Sequence, residues 1–382
     1  MTAMIKRFLK QKICDHLGFG KAILLFGARQ VGKTTLLHHL KCLSHEKTLF
    51  LNGDESDVRE LLGDPSSTRL KHAFYGYRYV IIDEAQGING IGLTLKVIVD
   101  RLPDLQVIAS GSSAFELANR ISEPLTGRKF EFMLLPFSFS EMVEEKDFFY
   151  ENSMLALRLV YGYYPEVVTH PGEEEKLLKL ISGSYLYKDL LRIENIHRSE
   201  LLEKILKALA LQIGSEVSYN ELARLCGTNP KTVEKYVDVL EKAYIIFKVP
   251  ALSRNVRNEI KKGKKIYFWD NGIRNAIINN FSEVIVLRTD RGGLWENFLM
   301  SERMKFHHYH QSGVNCYFWR TTQQQEIDLV EEYAEGFRAF EFKWNKKARS
   351  HISKTFLGNY RVISSQVVTP ANLEEFLLEG PF

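Results

Sequence analysis

Cysteine is scarce and scattered. The four in 382 residues are Cys14, Cys42, Cys226 and Cys316, and no two stand at the close spacing that zinc or redox motifs use. That excludes a disulfide framework and a zinc site as organising devices, and the usage fits a reducing compartment. Apolar runs of membrane-spanning length are missing too, so no transmembrane helix is expected. The first 18 residues carry Lys6, Arg7, Lys10 and Lys12 but lack an apolar core and a small-residue cleavage site. A signal peptide is therefore not expected, and a cytoplasmic location is. An excess of one charge is also absent: 51 Lys and Arg against 47 Asp and Glu leave +4. No nucleic-acid partner follows from net charge, and any basic surface must be local. What the chain does have is 45% apolar and 26% charged residues. That suffices for packed cores, and the length suggests two or three domains at about 150 residues each.

The first third alternates short apolar runs with helical patterns. Ala22–Phe26, Thr48–Asn52, Tyr79–Asp83 and Gln106–Ser110 each read as a strand buried on both faces. Helical stretches between them complete the βαβ pattern of a parallel sheet covered by helices. The chain then turns to long helical periods, such as Leu201–Ile213, and becomes strand-rich from Tyr317 onward. The predicted organisation is an α/β domain over 1–150, a helical lid or connector over 151–217, a winged helix-turn-helix over 218–265 and an α+β end over 266–382.

The strand Ala22–Phe26 runs into Gly27-Ala28-Arg29-Gln30-Val31-Gly32-Lys33-Thr34 and then a helix beginning at Thr35. This is G-x-x-x-x-G-K-[ST] in strand–loop–helix context, a phosphate-binding loop. The glycines let successive backbone N–H groups converge on phosphate oxygens, and the helix N-terminus adds its positive dipole end. Lys33 is placed to neutralise β- and γ-phosphate charge, and Thr34 to offer its hydroxyl to Mg²⁺. The strand Tyr79–Ile82 ends in Asp83-Glu84, expected to hold Mg²⁺ and to polarise an attacking water, respectively. After Gln106–Ser110, the hydroxyl of Ser112 stands either near a γ-phosphate or in a plain strand-end turn.

These residues resemble a family of prokaryotic AAA-type ATP-binding proteins. The resemblance rests on Gly27–Thr35, Ile82–Gln86 and Ser110–Ser113, then on Leu125–Arg128 and Leu135–Glu141. It continues through Gly162–Glu166 and Phe268–Arg274, which look like signatures of the uncharacterised domain following this ATPase. It implies a P-loop NTPase fold, ATP and Mg²⁺ as cofactors, ATP hydrolysis and an unknown output. By the same resemblance Arg128 is a candidate arginine finger, with a surface salt bridge as the other reading. No second-sensor motif stands out, and the lid sequence is not the usual one.

Tyr219–Cys226, the turn Gly227–Pro230 and Lys231–Ala243 read as helix-turn-helix, with Asn229 as cap and Pro230 at the first helical position. A strand at Tyr244–Val249 and a basic stretch over 254–265 (Arg254, Arg257, Lys261, Lys262, Lys264 and Lys265 against Glu259) suggest a wing that would contact DNA phosphates. A protein partner in place of DNA, and a homo-oligomer, both stay open. In the last segment, strand alternation puts Asp328 of Glu326–Val330 and Glu341 and Lys343 of Phe340–Trp344 on corresponding faces of a hairpin. That is the Asp…Glu-x-Lys arrangement of restriction-endonuclease-like nucleases, and Glu296 resembles the helix acid of that fold. Paired carboxylates there would bind Mg²⁺ for hydrolysis of DNA; the other reading is a surface hairpin with alternating charges. His307, His308 and His310 read as a solvated loop or strand edge rather than a metal site, and His38 and His39 as packing or surface residues.

Overall fold

The structure is a computed structural model that describes residues 5–43, 46–64, 66–111, 125–185, 199–253, 263–321, 323–345 and 352–378. The chain divides into two compact units, one built mainly from residues 1–136 and the other mainly from 137–382. Among the described residues no helix is long and apolar enough to cross a membrane.

In the first unit, β1 (Ala22–Phe26), β2 (Thr48–Asn52), β3 (Tyr79–Asp83), β4 (Gln106–Gly111) and β5 (Lys129–Met133) form one parallel sheet in the order β2-β3-β4-β1-β5. The unbroken burial of β1 and β4 is explained by that order, since strands inside a helix-covered parallel sheet are buried on both faces. β2 departs from the expectation of full burial. It is an edge strand, and all five of its residues are only half-buried. β5 was not anticipated, because Lys129 and Glu131 break its apolar run. Helices at Lys33–Leu43, Ser56–Gly63, Ser67–Ala73 and Ile91–Arg101 supply the remaining cover. The core gathers Leu24, Phe26, Val80, Ile82, Leu95, Ile98 and Val107, among others. With β4 between β1 and β3, the carboxyl ends of these three strands sit side by side, where open α/β sheets present their ligand crevice.

The second unit opens with short helices and the longer Ser199–Leu211. The helices Tyr219–Cys226 and Pro230–Lys242 follow, and Asn229 accepts from Thr232 N at 2.9 Å, so the expected cap forms. A three-stranded antiparallel sheet joins β6 (Glu216–Val217), β8 (Lys264–Phe268) and β7 (Ile246–Pro250), in that order. The 20-residue helix Arg291–His310 precedes a mixed sheet, β12-β11-β10-β9, built from β9 (Asn315–Arg320), β10 (Glu326–Tyr333), β11 (Gly336–Phe342) and β12 (Val362–Val368). β9, β10 and β11 run antiparallel, and β12 lies parallel to β11.

The two signature segments of this unit meet each other. Asp270 caps the helix Asn271–Ile277 through Ile273 N and also accepts from Tyr163 N at 2.6 Å. Gly162 has φ +69°, and a Cβ there would overlap the Asp270 carboxylate. Asn271 and Asn275 donate to Leu159 O, and Arg274 to Ala210 O at 2.7 Å. All four polar residues are buried. They satisfy one another and the backbone, as buried polar groups must.

Candidate functional site: a phosphate loop and a buried carboxylate cluster

The loop after β1 is shaped by backbone geometry. Gln30 and Gly32 have φ values of 63° and 93°, left-handed conformations that turn successive N–H groups toward a common concave side, which suits an anion. Gly27 lies so close to the chain after β5 that a Cβ would overlap Leu134 O. The Lys33 ammonium donates to Gly27 O at 3.0 Å and Ala28 O at 2.8 Å, which holds it in the ring of the loop. Arg7, buried ahead of β1, braces the loop by donating to Val31 O at 3.3 Å and Leu135 O at 2.5 Å.

The carboxylates expected beside the loop are there. Thr34 Oγ1 donates to Asp83 Oδ2 at 2.6 Å, joining the first turn of the helix to the end of β3. The other Asp83 oxygen accepts from Ser110 Oγ on β4 and from Glu84 N at 3.1 Å. Ser110 Oγ in turn accepts from Glu84 N at 3.3 Å. Glu84 sits at φ 50°, and Gln86 Nε2 donates to its carboxylate. Gly53 and Gly87 allow the close approach of the neighbouring loop, because a Cβ on Gly53 would overlap Glu84 O. The fit to a phosphate with its cation is therefore good: a concave run of amides, an ammonium, and a hydroxyl and a carboxylate close enough to share one hard cation.

One expected site residue, Arg128, stands away from the loop. Arg128 immediately precedes β5, and its carbonyl accepts from Ala22 N at the opposite end of β1 from the loop. β1 has five residues, so the separation is about 17 Å at roughly 3.3 Å per residue. The Arg128 side chain is 45% exposed and pairs with Asp100 at 2.7 Å, the surface salt bridge of the second reading. Within its own chain it does not reach the phosphates. Ser112 lies outside the described residues, as do residues 254–262 of the basic stretch.

Sequence reasoning passed over Ser110 and Gln86 as functional groups. Ser110 was legible only as a hydroxyl at the end of a central strand, and Gln86 as a polar residue two places past Glu84. Neither becomes informative until β3 and β4 are known to be neighbours.

In the second unit the other acidic set is partly assembled, around an unexpected residue. Lys265 of β8, expected in a DNA-facing wing, is 1% exposed and turned inward. Its ammonium lies 2.8 Å from Glu296 Oε1, 2.5 Å from Glu326 Oε1 and 3.8 Å from Asp328 Oδ1. Tyr267 donates to the same Glu296 oxygen at 2.6 Å. Asp328 also accepts from Phe342 N at 2.7 Å, and Lys343 pairs with Glu341 at 2.9 Å. Burial and the neighbouring Asp328 push the Glu296 carboxyl up to about 7, against the pull of Lys265 and Tyr267. Burial likewise raises Asp328. Burial would lower the Lys265 ammonium, but Glu296, Asp328 and Glu326 together hold it above the ordinary lysine value.

The histidines lie in the last turn of the helix Arg291–His310, not in a loop or strand. His307 contacts Glu331 at 2.7 Å, and with Cys316 these offer three donor atoms within 4.8 Å. The Glu331 carboxylate is already held by Arg303 at 2.5 and 3.0 Å and by Tyr333 at 2.8 Å. A guanidinium thus fills the cation's place. His38 stacks on Phe50 at 4.2 Å, a packing role.

A parallel sheet with a glycine-rich loop after β1 and a carboxylate at the end of β3 defines a P-loop nucleoside-triphosphatase fold. Residues 20–143 match the AAA domain family, residues 152–284 a domain of unknown function (DUF8612) and residues 291–377 another (DUF4143). The chain thus combines a segment similar to the AAA domain family with two segments similar to domains of unknown function, the last of them DUF4143. It is 27% identical over 329 residues to an uncharacterised protein of Mycobacterium tuberculosis, covering 84% of this chain and 70% of that relative. It is 24% identical over 284 residues to an uncharacterised protein of Haemophilus influenzae, covering 67% and 68%. Among solved structures, the Cdc6p protein of Pyrobaculum aerophilum aligns at TM-score 0.30 and 12% identity, over 75% of this chain and 98% of that one. A signal-transduction ATPase with a tetratricopeptide repeat sensor from Pyrococcus horikoshii aligns at 0.30 and 13%, over 82% and 48%.

Proposed function

We propose that the chain is a Mg²⁺-dependent ATPase whose nucleotide state directs a DNA-facing output module. The observation that carries the first half is the 2.6 Å contact of Thr34 with Asp83 beside a loop already curled for phosphate. The amides of Gly27 through Thr35 (Gly27, Ala28, Arg29, Gln30, Val31, Gly32, Lys33, Thr34 and Thr35) hold the phosphates, and Lys33 leaves its loop carbonyls for phosphate oxygens. Thr34 and Asp83 would hold the metal, while the expectation that the Ser112 hydroxyl meets the γ-phosphate falls outside the described residues. A bound Mg²⁺ would supply charge neutralisation to the phosphates. Glu84 orients and deprotonates the attacking water, with Gln86 and Ser110 fixing its carboxylate and backbone. Arg128 acts as a finger only if a second copy presents it.

Purified protein should hydrolyse ATP with Mg²⁺, and Lys33→Ala and Glu84→Gln should each abolish turnover. Normal rates in both variants would refute the mechanism.

The output reading rests on the helix-turn-helix pair, with Lys231, Thr232 and Lys235 on its second helix, and on the cations of 254–262. It runs against the acids of that helix, two of which, Asp238 and Glu241, are held by Lys248 at 2.5 and 2.7 Å. DNA binding should weaken linearly in log salt. A salt-independent association would instead favour a protein partner. Nuclease action at Glu296, Asp328, Glu341 and Lys343 is the weaker reading, because Lys265 lies among those carboxylates.

A further inference from the structure

We propose that Glu296, Glu326 and Asp328 form a cation-binding site whose resident cation is the Lys265 ammonium, so that the cluster is a clasp and takes no divalent ion. Three observations support this beyond the acids themselves.

The first is the donor set. The ammonium is almost wholly buried and lies within 2.8 Å of two carboxylates and 3.8 Å of a third. Carboxylates converging on one point need a cation there, because uncompensated buried charge is far too costly. A metal ion would have to expel the ammonium to enter, and the expelled lysine would still need a counter-charge.

The second is the surroundings. Tyr267 donates to the Glu296 oxygen that also receives Lys265. The other Glu296 oxygen faces Gly214, at which a Cβ would come within 2.9 Å. Phe342 N occupies Asp328 Oδ2, and the second lysine, Lys343, is drawn to Glu341. A further cation, Arg320, reaches from Glu326 (3.8 Å) to Glu216 (3.6 Å). Both Glu296 oxygens, Glu326 Oε1 and Asp328 Oδ2 are thus engaged or enclosed, while Asp328 Oδ1 and Glu326 Oε2 face cations at 3.8 Å.

The third is where the partners come from. Lys265 stands in the segment matched over 152–284, while Glu296, Glu326 and Asp328 stand in that matched over 291–377. One lysine therefore closes the charge of the neighbouring domain. The clasp fastens β8 of the three-stranded sheet to the helix Arg291–His310 and to β10.

The inference is independent of the ATPase reading, and its test uses no nucleotide. Mn²⁺ uptake is followed by loss of the free-ion electron paramagnetic resonance signal, on full-length wild type, Asp328→Asn, Lys265→Met and Lys265→Met with Asp328→Asn. Asp328→Asn should leave wild-type uptake unchanged. Lys265→Met should gain one Mn²⁺ per chain, and the added Asp328→Asn should remove it. Thermal melts with and without Mn²⁺ give a second readout, in which the ion raises the transition of Lys265→Met more than that of wild type, and Asp328→Asn leaves the wild-type response unchanged. Wild-type uptake that Asp328→Asn abolishes overturns the proposal in favour of a metal centre. A folded Lys265→Met that takes up no Mn²⁺ also overturns it. So does a Lys265→Met chain that is unfolded and that Mn²⁺ does not recover, since ion and ammonium would then not be interchangeable.

Discussion

Ser110 ties the two halves of the proposed catalytic pair together. Its hydroxyl donates to Asp83 and accepts from the amide of Glu84, so one oxygen positions both the proposed metal ligand and the proposed water-activating residue. Removing it leaves Glu84 at φ 50° without one of its two amide acceptors. A hydrogen bond to a charged group is worth about 1.5–3 kcal/mol. Ser110→Ala should therefore lower kcat about tenfold or more, at about 1.4 kcal/mol per factor of ten. Nucleotide affinity should change little, because the loop and Lys33 are untouched. Steady-state ATP turnover alongside nucleotide titration separates the two effects, and a kcat equal to wild type would remove Ser110 from the mechanism. Gln86→Ala should act in the same direction on kcat through the carboxylate of Glu84. Its expected signature is a lowered kcat at unchanged nucleotide affinity, while a loss of ATP affinity with unchanged kcat would contradict that role.

Among the elements, the strands and helices that a single run of sequence can specify were legible. β1 through β4 were readable because each is a short apolar run bounded by polar residues, and the phosphate loop because its spacing is a local property. What could not be read was anything set by sheet order. β2 reads as a doubly buried strand like its neighbours until it is found at an edge. Lys265 likewise reads as one more cation of a basic run, yet alternation along β8 turns it inward while Lys264 lies over the Tyr219 ring. The Asp328 and Glu341 pairing was half legible, since antiparallel register follows from alternation, but the lysine that meets the acids comes from about 60 residues upstream. Gly162 is the clearest case of an element-level demand hidden in a residue. Gly162→Ala forces an L-residue into φ +69° and drives a methyl into Asp270, displacing its bond to Tyr163 N. At about 1–2 kcal/mol for the backbone and a similar amount for the buried hydrogen bond, the loss should be about 3 kcal/mol. Gly172→Ala, at φ +91° but with open space around it, should lose only about 1 kcal/mol. All four tryptophans (Trp269, Trp295, Trp319 and Trp344) lie in the second unit. Fluorescence-detected urea unfolding therefore reads this comparison directly, and equal losses in the two variants would contradict it.

Across the whole molecule a net charge of only +4 conceals strongly perturbed carboxyls of opposite kinds. Glu331 is buried, yet His307 and Arg303 overcome that burial and hold its carboxyl at about 2. Asp290 is held at about 2 by Arg288 and Arg274, again against burial. A carboxyl with a depressed folded value contributes stability above its unfolded value, here about 4 to 4.5, and loses it as pH falls toward 2. Glu296, pushed up to about 7, works the other way. Its folded form binds the proton more tightly, so its contribution is complete below about 4.5 and is lost as pH rises through 7. The tryptophan-reported stability should therefore peak on the acid side of neutrality, near pH 5. It should decline by about 1–3 kcal/mol toward pH 8, since each pH unit that separates the folded from the unfolded value is worth about 1.4 kcal/mol, and fall steeply below pH 4. Glu296→Gln, which cannot ionise, should make the decline between pH 5 and 8 shallower, with burial-raised Asp328, Asp270 and Glu302 supplying what remains, and leave the acid limb in place. If the variant declines as wild type does over that interval, the alkaline limb belongs to another group and the charge balance drawn around Lys265 is wrong.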